Sequence, residues 1–299
     1  MEKDYEQLLE EFRSLKAEKE ELQQKYNKLG EMYDELSLSY EDALLLYDRA
    51  KESFRMEGEL RVARNIQMSM VPNQFPNLPE LNLYAWMVPA KEVGGDLYDF
   101  FVLGRKLYFC VGDVSGKGVP ASLFMAVTRV LFRHIAQQGL SPEEIAYKIN
   151  TSVAQFNDSC MFVTMFIGCA DLDTGRLDFC NCGHNLPIIL EEGKEARFLS
   201  CENQNLPLGP FETFDFKGMT LDDFRDKQLL IYTDGLNEAE NNSHEQFGDE
   251  RVLSLMSTMW GTPPKEIIET LCEAVNKHRD TAEPNDDLTM MCLKITENK

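Results

Sequence analysis

Long apolar runs, paired cysteines and basic charge are all scarce in these 299 residues. No uninterrupted stretch of about 18 apolar residues occurs, which predicts no membrane span. The N-terminus, MEKDYEQLLEEF, lacks the apolar core of a signal peptide. The eight cysteines form no CxxC pair, and most sit in apolar runs such as Tyr108-Phe109-Cys110-Val111. Buried thiols in a reducing cytoplasm are therefore expected rather than disulfides. Cys180-Asn181-Cys182 beside His184 comes nearest to a zinc site, but structural zinc usually needs a second spaced pair. Basic residues number 30 against 51 acidic ones, a formal net charge of -21. Such a chain repels phosphate backbones and anionic lipid, so neither nucleic acid nor a membrane surface is expected as a partner.

Proline is absent from residues 1–57, and glycine occurs there only at Gly30. What fills the segment is a heptad pattern. Leu8, Leu15, Leu22, Leu29, Leu36, Ala43 and Ala50 form one series. Phe12, Lys19, Tyr26, Tyr33, Tyr40, Tyr47 and Phe54 follow four residues after each, with Tyr5 leading them. Alternating spacings of three and four define a coiled-coil seam with leucines at d and aromatics at a. The seam would run roughly 75 Å and is expected to make a homodimer. A single charged helix packed on a globular domain is the alternative. The pattern fails at Glu57-Gly58, and a new stripe follows: Leu60, Ala63, Ile66, Gln67, Met70. Val71-Pro72 closes it. The predicted organisation is a coiled coil over 1–57, a linker helix and proline-rich connector over 58–79, and a globular domain over 80–299.

From Leu81 the pattern becomes α/β. Strands are predicted at Leu81–Val88, Asp96–Leu103, Lys106–Val114, Met161–Asp171, Arg176–Asn181, Pro187–Leu190, Thr213–Gly218, Gln228–Thr233 and Leu288–Ile295. Helices are predicted at Val119–Gln138, Pro142–Phe156, Asp249–Met259 and Pro264–Arg279. Strands follow strands and helices come in pairs, so antiparallel sheets covered by helices are expected rather than alternating βαβ units.

Acidic residues recur at the ends of the apolar strands. They are Asp96 in Val-Gly-Gly-Asp-Leu-Tyr-Asp-Phe (93–100), Asp113 in Gly-Asp-Val-Ser-Gly-Lys-Gly (112–118), Asp234 in Tyr-Thr-Asp-Gly (232–235), and Asp286 and Asp287 in Asp-Asp-Leu-Thr (286–289). One Asp-Gly at a strand end is ordinarily a turn. Several in one domain raise the prospect that they converge. Converging carboxylates repel, and hard divalent ions with oxygen ligands relieve that repulsion. Two such ions activate water for in-line displacement at phosphorus.

The same motifs, in order and joined by Cys-Gly-His-Asn-Leu-Pro (182–187), resemble the PPM-type protein phosphatases, in particular the SpoIIE-like branch with the RsbU-like bacterial serine phosphatases. Ala63-Arg64-Asn65-Ile66-Gln67 with Met70-Val71-Pro72 looks like the segment that precedes that domain, so the likeness covers about residues 58–296. It implies an α/β (α+β) fold, an αββα sandwich of two antiparallel sheets flanked by helices. It implies two ions, Mn²⁺ or Mg²⁺. Asp113 would bridge them, the Val114 carbonyl would bind one, Asp234 and Asp286 would complete the other, and Asp96 would hold a water. Asp287 is a ligand or a support, Glu238 could orient the Asp234 loop, and Lys117 could meet phosphate. His184 is an acid or a structural residue. The implied substrate is phosphoserine or phosphothreonine on a protein, a STAS-type anti-anti-sigma factor in this branch. Ser115 stands where the better-known members carry histidine, which leaves the leaving-group proton unassigned. Two rival readings share parts of the pattern: a pseudophosphatase binding module, and a coiled-coil-coupled nucleotide cyclase, whose base-recognising Lys/Asp pair and transition-state Arg find no place here.

Overall fold

The computed structural model describes residues 2–155 and 157–296. Phe156 of the expected helix Pro142–Phe156, residues 297–299 of the expected domain and the side chain of Ala43 in the seam lie outside the described residues. The chain divides into two compact units, Met1–Glu59 and Leu60–Lys299.

Helix α1 (Glu2–Met70) is continuous, and Gly58 does not interrupt it. In the first unit its apolar seam stands in solvent, from Leu15 at 64% exposed to Phe54 at 74%. Pairs such as Lys25–Glu21, 2.6 Å apart at i,i+4, add the modest support typical of exposed helix faces.

The second unit contains two five-stranded sheets with every pairing antiparallel. One runs β1 (Leu81–Val88), β10 (Leu288–Ile295), β9 (Gln228–Tyr232), β6 (Ile188–Leu190), β7 (Arg197–Phe198). The other runs β2 (Leu97–Leu103), β3 (Lys106–Val114), β4 (Val163–Asp171), β5 (Leu177–Cys182), β8 (Met219–Leu221). Side-chain alternation explains the layering. Leu229 and Ile231 of β9 join the core between the sheets, while Leu230 and Tyr232 join a second core beneath α4 (Asp249–Ser257) and α5 (Pro264–Arg279). Each fully buried aliphatic side chain in these layers contributes about 1.5–3 kcal/mol. Helices α2 (Val119–Ala136) and α3 (Pro142–Ala154) cover the other sheet. The αββα expectation is met.

Helix α2 is long and apolar enough, by length and composition, to cross a membrane. Its packing gives it another task. Met125, Phe132, Ile135 and Ala136 are buried, and Arg129 and Arg133 reach the fully buried Asp99 of β2.

Two short elements differ from expectation. Thr213–Gly218 is not a strand, although Phe214 and Phe216 alternate as in one. The Asn205 side chain captures this backbone instead, accepting from the Lys217 N–H at 2.8 Å and donating to the Lys217 carbonyl at 2.9 Å. Pairing begins only at Met219, opposite Phe179. The two-residue β7 was not expected. Its partner is Ile188–Ile189.

Candidate active site

An antiparallel pair sets the end of one strand beside the start of its neighbour. Thus β3 ends where β2 begins, with Gly112 opposite Leu97, and this junction carries Asp113 and Asp96. In the other sheet β9 ends where β10 begins, with Tyr232 opposite Met290, and this junction carries Asp234, Asp286 and Asp287. The two junctions meet. Thr233 Oγ1 donates to Asp96 Oδ2 at 2.7 Å, and the Gly95 N–H donates to Asp287 Oδ2 at 2.7 Å.

Electrostatics reports the same convergence. Burial first, then the charges of Asp234, Asp286 and Asp287, together push the Asp113 carboxyl up to about 7. Asp234 rises to about 6 through burial, then through Asp286 and Glu238. Asp96 lies well above the usual carboxylate range because it is buried beside Asp113 and Asp287. This donor set of hard oxygens under mutual repulsion suits divalent cations. Among the described residues, no three carboxylate, imidazole or thiolate groups already close as a finished metal cage. The fit therefore lies in the chemistry of the donors.

The remaining candidates take distinct places. Both oxygens of Asp287 are engaged by backbone: Oδ1 by the Ala90 N–H at 2.8 Å, Oδ2 by Gly95 and, at 3.4 Å, by the Asp96 N–H. Of the two roles open to Asp287, this geometry serves support of the Asp96 loop. The Val114 carbonyl faces the same loop, and a methyl on Gly95 would sit 2.9 Å from it. Glu238 closes a turn on the Asp234 carbonyl through its own N–H at 2.7 Å. Lys117 donates to Asp286 Oδ2 at 2.8 Å. Ser115 Oγ accepts the Phe162 N–H at 2.9 Å, so it anchors the loop. His184 is buried, with Nδ1 2.9 Å from Thr164 Oγ1. Burial drives its pKa down to about 4 against the pull of the Tyr232 backbone. A ring that is neutral at pH 7 is a poor proton donor. Cys180 and Cys182, both buried, lie with their sulfurs 3.7 Å apart.

Three contributors escape the motif reading. Gln67, buried near the end of α1, donates to the Gly94 carbonyl at 2.7 Å and accepts the Gly94 N–H at 3.1 Å. An amide in the apolar stripe Ala63-Ile66-Gln67-Met70 was the available signal. Thr233 serves two masters, Asp96 and the Thr289 N–H, which it accepts at 3.0 Å. Asp99, clasped by Arg129 and Arg133, ties α2 to β2.

The family model for Stage II sporulation protein E (SpoIIE) matches residues 104–296. The chain belongs to the SpoIIE family. Its fold is that of the PP2C-type domains. The SiaA-PP2C domain of Pseudomonas aeruginosa superposes with a TM-score of 0.73 at 19% identity, over 81% of this chain and 98% of that one. Among curated relatives, Protein IcfG of Synechocystis is 28% identical, over 79% of this chain and 41% of its own length. Phosphoserine phosphatase RsbU of Bacillus subtilis is 25% identical, over 80% of this chain and 70% of its own. The chain thus spans 41% of the length of one of these relatives and 70% of the other.

Proposed function

We propose that this SpoIIE-family chain is a metal-dependent phosphatase that removes phosphate from phosphoserine or phosphothreonine on a regulatory protein. The observation that carries the reading is the meeting of Asp96, Asp113, Asp234 and Asp286 from two sheets at one end of the sandwich. A relative named phosphoserine phosphatase supports it.

Asp113, Asp234 and Asp286, with the Val114 carbonyl, would hold two ions, Mn²⁺ or Mg²⁺. When bound, such ions supply acidity to water and charge neutralisation to phosphoryl oxygens. The residues of the chain do the positioning. Thr233 fixes the Asp96 carboxylate, which would hold the attacking water. Asp287 holds the loop that carries Asp96. Deep burial removes His184 from proton transfer to the leaving group, and Ser115 is committed to Phe162.

The substrate we propose is a phosphorylated STAS-type anti-anti-sigma protein, the substrate class of the SpoIIE-like branch. The exposed seam of α1 fits a second copy of the chain, so we propose a homodimer whose helix state tunes the rate. Phosphoserine-peptide turnover by the full chain with Mn²⁺ or Mg²⁺ tests the reading. Asp113→Asn should lose more than the roughly 10- to 100-fold that outer-shell changes cost. Absence of turnover by the unsubstituted chain at any metal level would leave a binding module instead. Glutamate at Leu22 and Leu29 should give a monomer by sedimentation and a changed rate, and an unchanged rate would remove the regulatory role.

A further inference from the structure

We propose that Lys117 is an exchangeable internal cation of the carboxylate cleft: it neutralises Asp286 while no divalent ion is held, and gives its charge to the substrate's phosphoryl group once an ion is in place. The second half rests on the phosphatase reading, and the first half does not.

The lysine Nζ lies 2.8 Å from Asp286 Oδ2 and 2.6 Å from the Asn285 carbonyl. Its side chain is 48% exposed and that of Asp286 is 32% exposed. The pair therefore sits at the mouth of the cleft, within reach of solvent and substrate, while Asp96 and Asp113 lie deeper. Lys117 stands between Gly116 and Gly118, whose φ values of 87° and 75° lie in the left-handed region. No atom lies within 4 Å of where a side chain on either glycine would begin. The segment is pinned on both sides. The Ser115 N–H donates to the Phe162 carbonyl at 2.8 Å, and α2 begins at Val119. Gly118 caps α2, its carbonyl accepting the Ser122 N–H at 3.0 Å, so freedom to re-aim is concentrated on Gly116 and Lys117.

Lysine suits such an exchange. Its charge is a compact point on a flexible stem with three rotatable donors, whereas arginine's fork favours one fixed geometry. A positive charge beside a would-be ligand also opposes entry of another cation. Removing it must favour the ion and disfavour the phosphate. A residue with a purely structural role would not move the two quantities in opposite directions.

Mn²⁺ titration calorimetry on the full chain, together with phosphoserine-peptide kinetics, tests the assignment. Lys117→Gln should bind Mn²⁺ about ten-fold more tightly, a figure reduced for solvent screening at the half-exposed site. Its KM for the phosphopeptide should rise by roughly ten-fold or more, the effect of losing one charge-assisted hydrogen bond. Lys117→Arg keeps the charge and should bind Mn²⁺ as the unsubstituted chain does. Unfolding temperatures of both variants should match that of the unsubstituted chain, since the loop is exposed. Unchanged or weaker Mn²⁺ binding by Lys117→Gln would overturn the internal cation. Tighter binding with unchanged KM would overturn the transfer to phosphate. If the unsubstituted chain bound Mn²⁺ but turned over no phosphopeptide, the phosphatase reading would fail and the transfer with it.

Discussion

Asp96 is buried and its side-chain partner is a hydroxyl, Thr233, whereas Asp286 is a third exposed and its partner is an ammonium, Lys117. The two residues stand at equivalent strand junctions, one in each sheet. At the inner junction, burial beside Asp113 and Asp287 raises the proton affinity of Asp96, and its carboxylate is held by Thr233, which in turn accepts the Thr289 N–H. The outer junction has its charge met by a side chain on a glycine-flanked loop. Asp96 is therefore fixed before any ligand arrives, whereas the side chain that meets Asp286 is able to move away.

Substitution should expose that difference. The largest effect is expected at the outer junction's turn, where a methyl on Gly235 would overlap the Asp287 carbonyl oxygen, a backbone atom with no room to yield. Gly235→Ala should cost about 3 kcal/mol or more, read as a fall of roughly 10 °C in unfolding temperature. At the inner junction Gly95→Ala meets the Val114 carbonyl at 2.9 Å and the Ala121 methyl at 3.3 Å, a lesser conflict. Its cost should be about 2–3 kcal/mol by denaturant titration. If Gly95→Ala proved the more damaging, the ranking of the two junctions would be reversed. Thr233→Val removes the Asp96 hydrogen bond and orphans the Thr289 N–H, for a loss of about 2 kcal/mol and a roughly 10- to 100-fold slower rate.

The effect of His184 is absent at neutral pH and appears only as pH falls. Its folded pKa of about 4 lies below the ordinary 6.5, so the unfolded chain binds the proton first. Stability from this group is whole above pH 6.5 and falls as pH drops toward 4, by about 1.4 kcal/mol per unit. Comparing the stability–pH slopes of His184→Gln and the unsubstituted chain isolates that proton. Equal slopes would mean that the ring is not held neutral.

The strand-end aspartates and the heptad seam were legible in the sequence because each repeats a local pattern: Asp beside Gly at the edge of an apolar run, and leucine every seventh residue. Most strand positions were legible as short apolar runs, whereas the order of strands within each sheet was not predicted. For Asp287 the sequence left ligand and support open, because its partners, the amides of Ala90 and Gly95, lie far away in sequence. Gln67 was legible as a member of the apolar stripe, but its partner Gly94 is defined only by the fold. Thr213–Gly218 misled because alternating phenylalanines mimic a strand. Side-chain capture of a backbone by a distant asparagine leaves no periodic trace.

Gln67 both gives and receives a hydrogen bond with one residue, Gly94, immediately before the Gly95-Asp96 corner. A helix that turned by a single residue step, about 100°, would swing the amide away and lose both bonds at once. Contact at this point has no intermediate setting: the corner is gripped twice or not at all. Small drifts of the helix would leave the grip intact, and a full step would release it.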